Sequence, residues 1–157
     1  MRHPKNRVRF LPATLMAGLF CILMPLQSKA VEPLSYHQTP TPYVRVKVTD
    51  FLQETYETKV TDYVIAEVDL NNDGDKEFIL KRKFCANQNT PCIHLILAKV
   101  KEEIVLLSNI KAKNLMIAGT KTFGIKDILA FKDEINQYNF DIYIWSPGEK
   151  KYIVKRS

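Results

Sequence analysis

From Tyr63 to Val154 the chain is a succession of short apolar runs separated by brief connections, and this spacing limits the possible folds more than any other feature. The runs are Tyr63 to Val68, Glu77 to Phe84, Ile93 to Val100, Ile104 to Ser108, Leu115 to Ala118, Ile125 to Phe131, Phe140 to Trp145 and Tyr152 to Val154. Parallel neighbours need a crossover of roughly a dozen residues, so these runs can pair only antiparallel. Lys101-Glu102 and the stretch from Ser146 through Pro147-Gly148 to Lys150 supply the turn chemistry. One helix is expected ahead of the first run. Thr41 can cap it, Pro42 suits its first position, and Val44, Val48, Phe51, Leu52 and Thr55 fall on one stripe up to Tyr56. Tyr43 to Val48 also alternates as a strand would, and the proline at the start favours the helix. The expected fold class is α+β, an N-terminal helix followed by a mainly antiparallel, meandering β-sheet.

The first thirty residues are of a different kind. Arg2, Lys5, Arg7 and Arg9 precede an almost wholly apolar stretch from Ala13 to Leu26, which closes on Pro25 and the small-residue end Ser28-Lys29-Ala30. This is the pattern of a secretory signal peptide with cleavage after Ala30, and its apolar core is short for a membrane span. Cys21 follows the bulky Phe20, a poor context for lipid attachment. The expected organisation is a signal peptide over 1–30, an extended Pro-rich lead-in over 31–42 and one α+β domain over 43–157. The net charge of +6 falls close to neutral once the leader is removed. Nucleic-acid binding needs a concentrated basic face. Lys81-Arg82-Lys83 is the one tight cluster, and on a strand its members alternate between faces, as at a solvated strand end. The protein is therefore expected in the periplasm or medium, without nucleic acid as a partner and without stable membrane insertion after cleavage.

Between the first two runs lies the acidic stretch Asp69-Leu70-Asn71-Asn72-Asp73-Gly74-Asp75-Lys76-Glu77. Oxygen-bearing side chains recur at alternate positions, and a glycine follows the third. Hard cations such as calcium take about six to eight oxygen ligands, and a glycine lets the chain turn inside the coordination sphere. The stretch resembles the DxDxDG calcium loops of secreted proteins, as in FG-GAP and VCBS-type repeats, over the single copy from Val68 to Leu80. The resemblance implies side-chain ligation by Asp69, Asn71, Asp73 and Glu77, with the carbonyl of Asp75 completing a calcium site. An EF-hand is disfavoured, because Leu80 stands where that loop carries its last glutamate. A plain hairpin turn remains open, since Asn72-Asp73-Gly74-Asp75 turns without a metal. Against it, turn-making needs at most two of the crowded carboxylates.

Beyond the leader two cysteines remain, Cys85 and Cys92. In an oxidising compartment they should pair and close a short loop, for an entropic stabilisation of about 2.5 kcal/mol. A metal thiolate pair lacks the spacing and neighbouring ligands.

The search for catalytic groups is less productive. His37 lies in the lead-in and His94 in a strand, where a polar, half-buried role is expected. Ser35, Ser108 and Ser146 lack the Gly-x-Ser-x-Gly elbow. Asp127, Asp133, Glu134 and Asp141 could meet Asp69 or Glu67 across the sheet. That leaves a hydrolase using surface carboxylates, with or without calcium, as the alternative. The favoured expectation is a non-catalytic exported domain, a protein-binding, inhibitor or envelope accessory module acting on another envelope or secreted protein. Among Phe123, Tyr138, Phe140, Tyr143, Trp145 and Tyr152 most should be core. Trp145, beside the Pro-Gly turn, is the candidate partner contact.

Overall fold

The computed structural model describes residues 30–37, 41–87, 91–133 and 138–155. Residues 1–29 of the expected leader, with Cys21, and Glu134 lie outside the described residues. Among the described residues the elements are one α-helix, two short 3-10 turns and a series of antiparallel strands. Glu32–Pro33 (β1) precedes the helix Pro42–Tyr56 (α1), and Tyr63–Val68 (β2), Glu77–Arg82 (β3), Cys92–Val100 (β4) and Glu103–Ala112 (β5) follow. The chain then continues through Asn114–Thr122 (β6), Ile125–Phe131 (β7), Phe140–Ser146 (β8) and Lys151–Val154 (β9).

The helix forms over the expected span, although Thr41 at its N-cap makes no side-chain bond and Glu57 ends it in the left-handed region. It is not the first element. The lead-in residues Glu32 and Pro33 pair with Ile117 and Met116 of β6. His37 exchanges backbone bonds of 2.8 and 3.0 Å with Ile65 of β2, and Leu34 and Tyr36 pack on the core. An edge position tolerates Pro33, which has no N–H to offer a second neighbour.

The strands form two sheets where one meander was expected. β2-β3-β4-β5 make the first and β1-β6-β7-β8-β9 the second, and consecutive strands are neighbours in each. The change of sheet falls at Lys113, the single residue between β5 and β6. Its N–H donates to the Phe131 carbonyl at 2.7 Å, already in the second sheet. Its carbonyl accepts from Lys81 Nζ in the first sheet at 3.0 Å, and Asn114 Oδ1 lies 3.4 Å from the same ammonium. The corner is thus held from both sides. Lys81 is buried, contrary to the expected solvated strand end, because its stem lies between the sheets and its head bonds the corner.

The first sheet is apolar on both faces. Tyr63, Ile65, Phe78, Leu80, Leu95 and Leu97 pack against Val44, Val48 and Leu52 of α1. Ala66, Val68, Ile79, Ile96 and Ile110 meet Leu115, Ile117, Ile128, Ala130 and Tyr152 of the second sheet. Each fully buried aliphatic or aromatic side chain in these layers contributes about 1.5–3 kcal/mol. Double coverage explains why β3 and β4 read as continuous apolar runs, since a strand with one solvated face would alternate. The result is helix on sheet on sheet.

The expected disulfide is present. Cys85 and Cys92, with Cα atoms 5.9 Å apart, close the loop that leaves β3 through a 3-10 turn at Lys83–Asn87 and returns at β4. Among the described residues no helix is long and apolar enough to cross a membrane.

His94 is fully buried between the sheets, where a half-buried place was expected. Its Nδ1 lies 3.2 Å from the Cys92 carbonyl, and among the described residues Nε2 makes no hydrogen bond of good geometry. Burial first, and then the charge of the Lys81 ammonium, lower its pKa to about 4, and the Cys92 and Ile110 carbonyls offset only part of this. Between the ordinary imidazole value and that figure the unfolded chain takes up a proton that the folded chain refuses, so stability falls as the pH falls through that window. The free energy of unfolding should drop by about 3 kcal/mol from pH 7 to pH 4 more than it does in His94→Leu. Urea titrations of the two proteins across that range measure the difference. Equal slopes would show that His94 is protonated without cost.

Candidate functional site

The acidic loop spans the end of the sandwich between Val68 and Glu77, whose positions pair as the last rung of β2 and β3. Within the loop the side chains organise the backbone. Asp69 Oδ1 accepts from Asn72 N at 2.6 Å and its Oδ2 from Gly74 N at 3.1 Å. Asn71 Oδ1 accepts from Asp73 N at 2.9 Å, and Asp73 Oδ1 from Asp75 N at 2.8 Å. The Asn71 amide donates to Asp73 Oδ2 at 2.7 Å. Gly74 has a φ of +93°, and Asn72 a φ of +62°, so the turn needs residues that accept the left-handed region. Nothing lies near a Cβ built on Gly74, so its role is conformational.

Two residues root the loop in the fold. Leu70, apolar among polar neighbours, is buried in the inter-sheet core. Its N–H donates to Glu77 Oε2 at 2.8 Å, and its carbonyl accepts from Lys126 N of β7 at 2.8 Å. The loop is therefore tied to the second sheet as well as the first. Glu77 is only 7 % exposed. Burial raises its pKa most, the Leu70 N–H opposes this, and the charges of Asp73 and then Asp69 raise it again. Among the described residues no lysine or arginine forms an ion pair with Asp69, Asp73, Asp75 or Glu77.

Asn71, Asp73, Asp75 and Glu77 line a cavity of about 380 Å³ at the mouth of the sandwich, and Trp145 and Tyr152 line it from the second sheet. Trp145 and Tyr152 are a cross-strand pair, their rings edge to face with centroids 5.6 Å apart. Tyr152 Oη donates to the Lys126 carbonyl at 2.9 Å. Burial drives its pKa strongly upward, and the charges of Glu77 and Asp127 add to the effect. The fold thus brings the loop donors and Trp145 to one place. Asp69 does not line the cavity and instead caps the loop's own amides.

Other sequence candidates stay apart. Asp127 is buried and accepts from Thr120 Oγ1 at 2.6 Å, while Asp141 pairs with Lys132 and Asp133 accepts from the Asn139 amide. The aromatics do not form one patch. Tyr143 and Trp145 pack on the core, Phe140 pairs with Phe131, and Phe123 and Tyr138 stand out at 75 % and 93 % exposure. Leu70 and Lys126 were not singled out beforehand, and Tyr152 was named only among the aromatic residues expected mostly in the core. An apolar residue inside an acidic loop was a usable signal for Leu70, whereas Tyr152 and Lys126 reach the loop only through sheet packing.

Known proteins add nothing to this geometry. No protein family, curated protein or solved structure matches the chain. The likeness to DxDxDG loops is confined to Val68 through Leu80.

As to a cation, the described residues contain no ready-made group of three His, Cys, Asp or Glu side chains. The donor chemistry nevertheless fits a hard ion. Hard oxygen donors recur along the loop, and Glu77 is buried with its charge repelled by Asp73 and Asp69. A carboxylate whose folded pKa is raised contributes stability below its unfolded pKa and loses it as pH rises through the folded value. Glu77→Gln should therefore raise the melting temperature at pH 7 in chelator, with little change at pH 4. Thermal unfolding at the two pH values checks this. A lower melting temperature at pH 7 would show that the charged form is stabilising without a cation.

Proposed function

We propose that this protein is a non-catalytic exported domain of the periplasm or medium, a protein-binding, inhibitor or envelope accessory module whose acidic loop takes one calcium ion. The observation that carries the reading is the shared cavity, which loop donors and Trp145 both line. A calcium ion held by Asp69, Asn71, Asp73, Glu77 and the Asp75 carbonyl supplies positive charge where the four carboxylates form no ion pair among the described residues. That charge favours ionised Glu77 and fixes the loop that Leu70 and Lys126 join to β7. Free calcium is low in the cytosol and high outside, so a site of the extracellular type fills only after export. The leader pattern and the Cys85–Cys92 bond support the same compartment. The partner surface is the loop with Trp145, flanked by Lys99 and Lys101 on the cavity wall.

Trp145 is the single tryptophan of the chain, so its fluorescence reports on this cavity alone. Calcium should change that emission with a midpoint of about 10⁻⁴–10⁻³ M and raise the melting temperature, and Asp73→Ala should abolish both responses. Capture of an envelope or secreted partner should weaken in chelator, and in Trp145→Ala while that variant remains folded. An emission and melting temperature indifferent to calcium through the millimolar range would leave the loop as a turn. A folded Trp145→Ala that keeps its partner would remove the indole from the interface.

A further inference from the structure

Helix α1 covers only part of the outer face of the first sheet. It ends at Tyr56, and beyond it a row of residues crosses four strands. Tyr63 of β2 is opposite Arg82 of β3, and Ile93 of β4 is opposite Lys111 of β5. The adjacent pair Lys81↔His94 sets Arg82 beside Ile93. These residues floor a cleft of about 480 Å³, walled by Tyr56, Phe84 and Pro91 and closed at one end by the Cys85–Cys92 bond. Phe84 and Ile93 are each 56 % exposed, so apolar surface faces the opening.

The charge in this cleft has one sign. Arg82 and Lys111 line it, and among the described residues no Asp or Glu does. The guanidinium of Arg82 lies 5.8 Å from the ring centres of both Tyr63 and Phe84, and its Nε donates to Tyr63 Oη at 3.3 Å. These contacts hold the fork in place and leave its terminal N–H groups unpaired among the described residues. The Lys111 side chain has no hydrogen bond or ion pair there either. Elsewhere Lys99, Lys126, Lys132 and Lys151 each pair with a carboxylate.

We propose that this cleft binds a small organic carboxylate, its acid group on Arg82 and Lys111 and its apolar body against Tyr63, Phe84 and Ile93. A braced guanidinium matches a planar carboxylate with two parallel hydrogen bonds. The stacked rings and Ile93 suit a flat ring or a short aliphatic chain, and the volume is that of a small-molecule site. A phosphate dianion fits less well. It has no apolar body to cover Phe84 and Ile93, and the helix C-terminus at this cleft, with its partial negative charge, opposes two charges more than one. This site is independent of the acidic loop, which lies at the other end of β3.

Calorimetric titration of the purified protein with phenylacetate and with octanoate, each against its neutral amide, tests the proposal. At least one acid should bind saturably at one site, with the amide about tenfold weaker or more, as expected for losing a charge-assisted bond. Lys111→Gln, which removes a side chain without structural partners, should weaken the acid about tenfold while leaving the melting temperature unchanged. Arg82→Gln should weaken it further. Binding by one acid in preference to the other distinguishes ring from chain. Amides that bind as well as acids, saturable binding of inorganic phosphate alone, or both variants retaining full affinity would overturn the proposal.

Discussion

The architecture depends on one corner. A ladder of short antiparallel strands can extend as a single sheet, but then each face needs its own cover. At Lys113 the chain turns between β5 and β6 and lays the second half of the ladder on the first. The turn is held by the Phe131 carbonyl on one side and the Lys81 ammonium on the other. A buried ammonium would be costly without partners, and here it finds them in the backbone that must bend. The inter-sheet core, from Ala66 and Ile79 to Ile117 and Ile128, follows from that bend.

Because the two sheets close on apolar residues, polar groups collect at the ends of the layer. Glu77 sits at one end, beneath the acidic loop, and Lys81 and His94 lie along the strands toward the disulfide. Acidic charge therefore gathers at the β2–β3 loop and basic charge near Cys85 and Cys92. Each end is paired with aromatic surface, Trp145 and Tyr152 at the first and Tyr63 and Phe84 at the second. The two ends offer opposite chemistry, one suited to a cation and the other to an anion.

Leu70 joins the core to the acidic end. A loop made only of Asp, Asn and Gly would hang from its two strands, and its geometry would depend on its own short-range bonds. With its side chain in the core and its backbone bonded to Glu77 and Lys126, the loop inherits the rigidity of both sheets. A change in the loop thus acts directly on β7 and, through Tyr152, on the packing of Trp145.

Much of this was legible in the order of residues, wherever the cause was local. Apolar period and turn chemistry place the strands to within a few residues, as at Tyr63–Val68 and Ile125–Phe131, and Pro42 with its stripe of valines and leucine marks the helix. The pairing of Cys85 with Cys92 and the alternation of donors in the loop are likewise short-range patterns. What the sequence could not display is which apolar face meets which. The bend at Lys113, the burial of Lys81 and His94, the packing of the lead-in, and the cavities that Trp145 shares with Glu77 and Arg82 with Lys111 all join distant segments. They are selected by the closure of two sheets on one core, and closure is a property of the whole chain.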